Sequence, residues 1–443
     1  MRQPESEARR LAVVLLADRF DEKTVLQQMQ SHVSGSKTWM QRVASGLISR
    51  FGDRRPRRRQ LVHFLLNSPA FLRAARKASF AVRYPDAASA FVSSPGLFRD
   101  TTVRPLETTG HIAEWLGLTE GELLWFADPG HLERVCAEGP LRHYRYHWKR
   151  KRHGRCRLIE APKFRTRTIQ RTLLRDILNH VPVHDAAHGF RRQRSVRSHA
   201  APHVGKAIVL KMDLEDFFPA IPPPRLTRIL MHVGYSEEIA DFLTALCCNY
   251  VPPETFKSFP HPDDWNQFRQ CRLLYGRAHF PQGAPTSPAA ANICAFRMDS
   301  RLAGLAKSAN AVYTRYADDL LFSGDAAFVR NVDRFRISVA AIAMEEGFHV
   351  NHRKTCIMKR STRQEAVGLV LNEKLNLPRQ EFDRLRATLH RCVLKGPAAV
   401  NNDRHADFRA HLIGRIQYVA QSSDSRRARL NRLFDQIVWT EGM

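Results

Sequence analysis

No stretch of this chain approaches the roughly 18 consecutive apolar residues that a membrane-spanning helix needs, so no membrane partner is expected. The short run Leu11 to Ala17 is preceded by Glu5 and Glu7 and followed by Asp18 and Arg19. It reads as the buried face of a helix rather than a signal peptide. No pair of the eight cysteines has CxxC spacing. That argues against a zinc ribbon or disulfide framework and for reduced, mostly structural thiols in a cytoplasmic protein. Acidic residues are scarce beside basic ones, 43 against 70, leaving a net charge of +27. An excess of this size calls for a polyanionic partner, nucleic acid first, with salt-sensitive binding. At 443 residues there is chain enough for two or three domains.

What is present concentrates in the second half. In Val312-Tyr313-Thr314-Arg315-Tyr316-Ala317-Asp318-Asp319-Leu320-Leu321-Phe322-Ser323, two adjacent carboxylates are flanked by β-branched, aromatic and aliphatic residues. The flanks predict strands and the acidic pair falls at their turn. Neighbouring anions at a hairpin tip repel, a cost that makes sense beside cations. Ala207 to Met212 is an almost continuous apolar run, suited to a buried strand, and it ends at Asp213. One carboxylate at a strand end and two on a nearby hairpin suit two Mg²⁺ ions, which together stabilise the attacking and leaving oxygens of phosphoryl transfer. Taken alone, Asp318-Asp319 also reads as a solvated turn and Asp213 as a strand cap.

Elsewhere the chain predicts helices and basic surfaces. Residues 1–105 read as a helical, basic extension containing the run Arg54-Arg55-Pro56-Arg57-Arg58-Arg59, with a linker near Ser94-Pro95-Gly96. His143 to Arg152 interleaves aromatics with cations, and Arg152 to Ile159 predicts a hairpin turning at Gly154. Residues 251–277, rich in Pro, Asp and aromatics, read as a long loop. Ser287-Pro288 looks like the cap and first residue of a helix. Short strands are expected at Phe348–Asn351, Thr355–Met358 and Val367–Leu371, and apolar stripes after Phe382 predict three C-terminal helices. His184/His188 and His199/His203 have the spacing of helical ligand pairs, but no cysteine or acidic cluster completes a zinc site.

In order, Ala187-His188-Gly189-Phe190, Asp213-Leu214-Glu215-Asp216-Phe217-Phe218, Pro281 to Pro288, Tyr316 to Asp319, and Gly347-Phe348-His349-Val350-Asn351 followed by Lys354-Thr355 resemble the blocks of a reverse transcriptase. More narrowly they resemble a bacterial retron reverse transcriptase, from about Ala113 to the C-terminus. Two departures stand out. Retron enzymes carry Asn-Ala-x-x-His where this chain has His199-Ala200-Ala201-Pro202-His203, and Val-Thr-Gly where it has Ala366-Val367-Gly368.

The resemblance implies an α+β right-hand polymerase with a helical N-terminal extension. Residues 106–375 would form fingers and palm, with fingers near 140–206 and 250–290, and residues 376–443 the helical thumb. It makes Asp213, Asp318 and Asp319 the catalytic ligands of two Mg²⁺ ions. Phe218 would lie beneath the nucleotide sugar and exclude a 2′-OH. Gln282 and Arg157, with Lys151 or Arg152, would flank the dNTP and its triphosphate. Lys354 and Tyr316 would lie near the primer terminus, and His199 and His203 would meet RNA. The implied partners are a cognate structured non-coding RNA, its single-stranded DNA product (msDNA) joined through a 2′–5′ branch at a guanosine, dNTPs, and an effector protein of an anti-phage system. Two other readings stay open: a reverse transcriptase of group II intron type, and a non-catalytic RNA-binding scaffold that keeps the polymerase fold.

Overall fold

The structure is a computed structural model. It describes residues 4–16, 20–34, 38–52, 56, 58–76, 80–82, 101, 103–129, 132–134, 139, 142–150, 155–261, 263–420 and 424–439. The chain divides into two compact units, Met1–Ala90 and Phe91–Met443. The linker expected near Ser94, the hairpin tip around Gly154 and most of the arginine run at 54–59 lie outside the described residues.

The first unit is helical. Helices Pro4–Leu16, Glu22–His32, Met40–Phe51, Arg58–Leu66 and Pro69–Ala75 enclose a core of Leu11, Leu15, Met29, Met40, Leu47 and Phe71. Leu11, Val14 and Leu15 are fully or almost fully buried, as the short apolar run predicts. β1 (Val33–Ser34) pairs with β2 (Ala81–Val82) and closes the unit. The Val82 amide donates to buried Glu7 at 2.9 Å.

The second unit is organised by a four-stranded antiparallel sheet. β3 (Tyr144–Arg150) and β4 (Cys156–Pro162) form a separate hairpin. The sheet itself is made by β5 (Ile208–Asp213), β6 (Val312–Tyr316), β7 (Asp319–Gly324) and β8 (Cys356–Lys359), in the order β6-β7-β5-β8. Strand side chains alternate between faces. One face presents Ile208, Leu210, Met212, Tyr313, Leu320 and Phe322 to the largest core. There Tyr313 stacks on Phe322 at 4.7 Å. Helix Ala326–Glu345 covers this face with Phe328, Val332, Phe335, Val339 and Ala343, spaced three and four apart. The opposite face places Val209, Leu321 and Met358 against a second core shared with the C-terminal helices Arg379–Lys395, Phe408–Ala420 and Asp424–Asp435.

Three expectations are corrected. Residues 251–277 are not a plain loop: a 3₁₀ turn spans Pro253–Ser258 and an α-helix spans Trp265–Tyr275. Asp264 caps that helix by accepting from the Gln267 amide at 3.0 Å, and Cys271 and Tyr275 anchor it in a local aromatic core. Phe348–Asn351 is not a full strand; it makes one bridge, Leu214 to Val350, beyond the end of β5. Ser287 is the first helical residue rather than the cap, and its hydroxyl donates to the Pro281 carbonyl at 2.7 Å. Among the described residues, no helix is long and apolar enough to cross a membrane.

Candidate active site

The register of β5 against β7 pairs Asp213 directly with Asp319. Both lie on the sheet face that also carries Lys211 and, across the hairpin, Tyr316. Tyr316 pairs with Asp319, so Ala317 and Asp318 alone make the connection between β6 and β7. Two-residue hairpins favour turns with a positive φ at the first central position. Ala317 accepts that conformation, φ 55°, without being glycine, a local strain characteristic of functional turns. The Asp318 carbonyl accepts from the Leu214 amide at 2.9 Å, tying the tip to the residue after Asp213.

The strained tip is held from behind by a buried cation. Arg315 and Asp299 are both fully buried and form a two-pronged pair at 2.8 and 2.7 Å. Arg315 also donates to Asn292 Oδ1 at 2.9 Å and to the Ala317 carbonyl at 3.0 Å. Beside it, Ala187 bridges Arg315, and the His188 amide donates to the Arg315 carbonyl at 2.8 Å. A Cβ on Gly189 would stand 2.7 Å from the Ala317 nitrogen. The Ala187-His188-Gly189 segment is thus a backing strip, pressed close because position 189 has no side chain.

Burial and like charge raise the two carboxylates of the turn. Asp318 is held above the usual carboxylate range by burial first, then by the charges of Asp213 and Asp319, with Arg157 opposing. Asp319 is raised by burial, partly offset by Lys211. Like charges directly opposite across strands destabilise a sheet, and two lysines relieve the repulsion. Lys354 Nζ reaches both oxygens of Asp213 at 2.9 and 3.0 Å, and Lys211 Nζ lies 3.3 Å from Asp319 Oδ1. The Asn351 amide on the Asp213 carbonyl, at 2.7 Å, brings the segment bearing Lys354 to this place.

The other expected site residues divide into two groups. Arg157, on β4, acts electrostatically on Asp318, and its Nε is buried with no hydrogen-bond partner. Gln282 is 8% exposed, and its Oε1 is also buried and unpartnered. Phe218 is half-buried with its ring edge-on to Phe217 at 5.4 Å. Tyr316 is half-buried between Phe190 and His199, with ring centroids at 6.0 and 5.8 Å. Arg155, just before β4, pairs with Glu215 at 2.8 Å, two residues beyond Asp213. Lys151 and Arg152 lie outside the described residues.

The expectation that His199 and His203 meet RNA is corrected. Both are fully buried. His203 hydrogen-bonds Ser323 at 2.7 Å and Thr314 at 2.8 Å, and His199 Nδ1 lies 2.7 Å from the same Thr314 hydroxyl. Burial pushes both imidazoles down to about 3, so they are neutral at physiological pH. They join helix Val196–Ala200 and the turn after it to the strands of the acidic hairpin. The two positions that the resemblance assigns to RNA contact form a structural joint instead.

Comparison with known proteins agrees with this geometry. The family described as reverse transcriptase (RNA-dependent DNA polymerase) matches residues 149–371. The retron Mx65 reverse transcriptase of Myxococcus xanthus is 38% identical over 73% of this chain and 70% of its own length. The chain belongs to the retron reverse transcriptase family. The retron Mx162 enzyme of the same organism is 34% identical over 64% of this chain and 59% of its own. The retron Ec86 reverse transcriptase of Escherichia coli is 31% identical over 53% and 65%. This retron-type reverse transcriptase is an RNA-directed DNA polymerase with the α+β right-hand fold, so its template is RNA and its product DNA.

Reverse transcriptases use divalent metal ions, and the acidic triad of this one fits them. Its donors are hard carboxylate oxygens, and the charges of Asp213 and Asp319 help to raise Asp318. Among the described residues, no three acidic, imidazole or thiol groups already converge as a ready cage; Lys354 and Lys211 hold two of the carboxylates instead. Mg²⁺ suits such an arrangement, because it binds through one or two carboxylates together with substrate phosphates. Sequence reasoning missed Arg315, Asp299 and Lys211. Lys211 did leave a signal: it breaks the apolar run two residues before Asp213, which in a strand is the same face.

Proposed function

We propose that this chain copies part of a cognate structured non-coding RNA into single-stranded DNA by two-metal nucleotidyl transfer. The observation that carries the reading is the direct pairing of Asp213 with Asp319 across β5 and β7, with Asp318 in the turn beside them. In this reading Asp213, Asp318 and Asp319 hold two Mg²⁺ ions, which supply charge stabilisation to the attacking hydroxyl and the pyrophosphate leaving group. The β3–β4 hairpin and the Gln282 loop serve as fingers, the four-stranded sheet as palm, and the helices from Arg379 as thumb.

The chain's own groups do the positioning. Arg157 and Gln282 flank the incoming dNTP; each carries a buried polar atom without a partner, the condition of a group that meets its partner in the substrate. The Phe218 ring lies under the sugar and selects deoxyribose. Tyr316, backed by His199, lines the primer end. Lys354 holds Asp213 in the free protein and contacts the nucleotide or primer end during synthesis. The retron relationship supports priming from a guanosine 2′-OH, a branched msDNA product, and a place in a cytoplasmic anti-phage system with an effector protein.

The test is extension by purified protein with its RNA, dNTPs and Mg²⁺. Asp318→Asn with Asp319→Asn is expected to abolish extension while leaving RNA binding and the melting temperature intact. Unimpaired extension by that double variant removes the mechanism. Sequencing of co-purified nucleic acid tests the retron part, which predicts a covalently branched RNA–DNA species.

A further inference from the structure

A buried ionic cluster behind the nucleotide cleft has no part in the chemistry above. Glu160, on β4, and His279, two residues before Pro281, are both fully buried. His279 Nε2 lies 2.8 Å from Glu160 Oε1, and its Nδ1 lies 2.7 Å from the Arg277 carbonyl. Both ring nitrogens face acceptors, so both donate, as only an imidazolium does. Burial alone lowers this imidazole; the Glu160 carboxylate and the two hydrogen bonds reverse that and leave it raised. The second Glu160 oxygen accepts from Asn249 Nδ2 at 2.7 Å. Asn249 and His279 exchange backbone hydrogen bonds at 2.9 and 3.1 Å, closing residues 250–278 into one excursion.

A buried ion pair is weak evidence for stability, since apolar side chains of similar volume often do as well. This one joins two segments that carry nucleotide contacts. The Glu160 amide donates to the Gln282 carbonyl at 2.8 Å. Gly283, at φ 129°, lies so close that a Cβ there would stand 2.7 Å from the Glu160 carbonyl oxygen of the main chain. Arg157 precedes Glu160 by three residues on the same strand. Strand and loop are therefore fastened at Glu160 twice, by main chain to Gln282 and by side chain to His279.

We propose that the Glu160–His279 pair is a positioning device for deoxynucleotide binding, fixing the separation of Arg157 and Gln282. The proposal rests on the reading of those two residues as nucleotide contacts. Glu160 and His279 act through the strand and loop they join and do not touch the nucleotide.

The experiment is single-nucleotide incorporation on one RNA template with a DNA primer, for wild type, Q282A, H279Q, E160Q and G283A. Thermal unfolding and primer–template affinity are measured in parallel. H279Q and E160Q are expected to raise the dNTP KM about ten- to a hundredfold, with a smaller change in kcat and primer–template affinity kept, as a small misplacement of binding groups does. G283A keeps both charges but forces the loop from Glu160, and is expected to show the same KM defect. A folded H279Q or E160Q with wild-type dNTP KM overturns the proposal. So does an equal loss of primer–template affinity, which marks general loosening. Should both polar variants fail to fold, G283A decides, and an unchanged KM there overturns it. A Q282A variant with unchanged KM overturns the underlying nucleotide reading, and the positioning claim with it.

Discussion

Gly189→Ala is the smallest change expected to disable the polymerase. The added Cβ would stand 2.7 Å from the Ala317 nitrogen and 3.3 Å from Tyr316 Cα and carbonyl carbon. All three are backbone atoms, so no side chain can rotate away. Ordinary contact begins near 3.4 Å, and strip and tip must therefore part by about 0.7 Å. The strip is held by the Arg315 amide on the Ala186 carbonyl and the His188 amide on the Arg315 carbonyl, and the tip by the Arg315 guanidinium on the Ala317 carbonyl. Either the acidic turn moves or those bonds stretch. Overpacking of this kind costs about 1–3 kcal/mol of stability. A displacement near 1 Å at a reacting centre costs up to about a hundredfold in rate. Primer extension under saturating dNTP, with a denaturant melt of the same preparation, reads both. A variant with wild-type kcat and an unchanged melt would show that the strip does not brace the turn.

Other perturbations test separate parts. Asp299→Asn leaves the Arg315 guanidinium buried without its counter-ion, and is expected to cost about 3–5 kcal/mol in urea denaturation. His203 takes up a proton at about pH 3 when folded and about 6.5 when unfolded. Between those values the unfolded chain binds more protons, so the contribution is whole above 6.5 and is lost as pH falls towards 3. His203→Gln is therefore expected to flatten the decline in stability between about pH 6 and 4 by about 1.4 kcal/mol per pH unit; an unchanged slope refutes the neutral buried imidazole. Phe218→Ala is expected to raise ribonucleotide incorporation relative to deoxynucleotide at least about tenfold, worth about 1.4 kcal/mol, in competition assays.

The sequence was most legible where one local rule suffices. The apolar run ending at Asp213 and the strand–turn–strand pattern around Asp318-Asp319 placed one acid at a strand end and two at a hairpin tip, and the β5–β7 register sets Asp213 opposite Asp319 on one face. The stripes from Phe382 gave the C-terminal helices because that surface buries against a single core. Helix Trp265–Tyr275 was hidden because its exposed face carries Trp265 and Leu273, 65% and 67% exposed, which blurs the amphipathic pattern. The fate of His199 and His203 was hidden for another reason. Imidazole is equally at home donating to RNA or to a buried hydroxyl, and only the arrival of Thr314 and Ser323 from 111 or more residues away decides. The Arg315–Asp299 pair was likewise invisible, since nothing local marks a charged strand residue as facing inward.

The account depends most on Asp213, far in sequence from the Asp318-Asp319 turn, acting with it on one phosphoryl group. Single-turnover incorporation of one dNTP on an RNA template, by Asp213→Asn protein with an unchanged melting temperature, tests this most directly. The account predicts loss of at least about a thousandfold, the scale expected when stabilisation of developing charge is removed. Incorporation within about tenfold of wild type would contradict it.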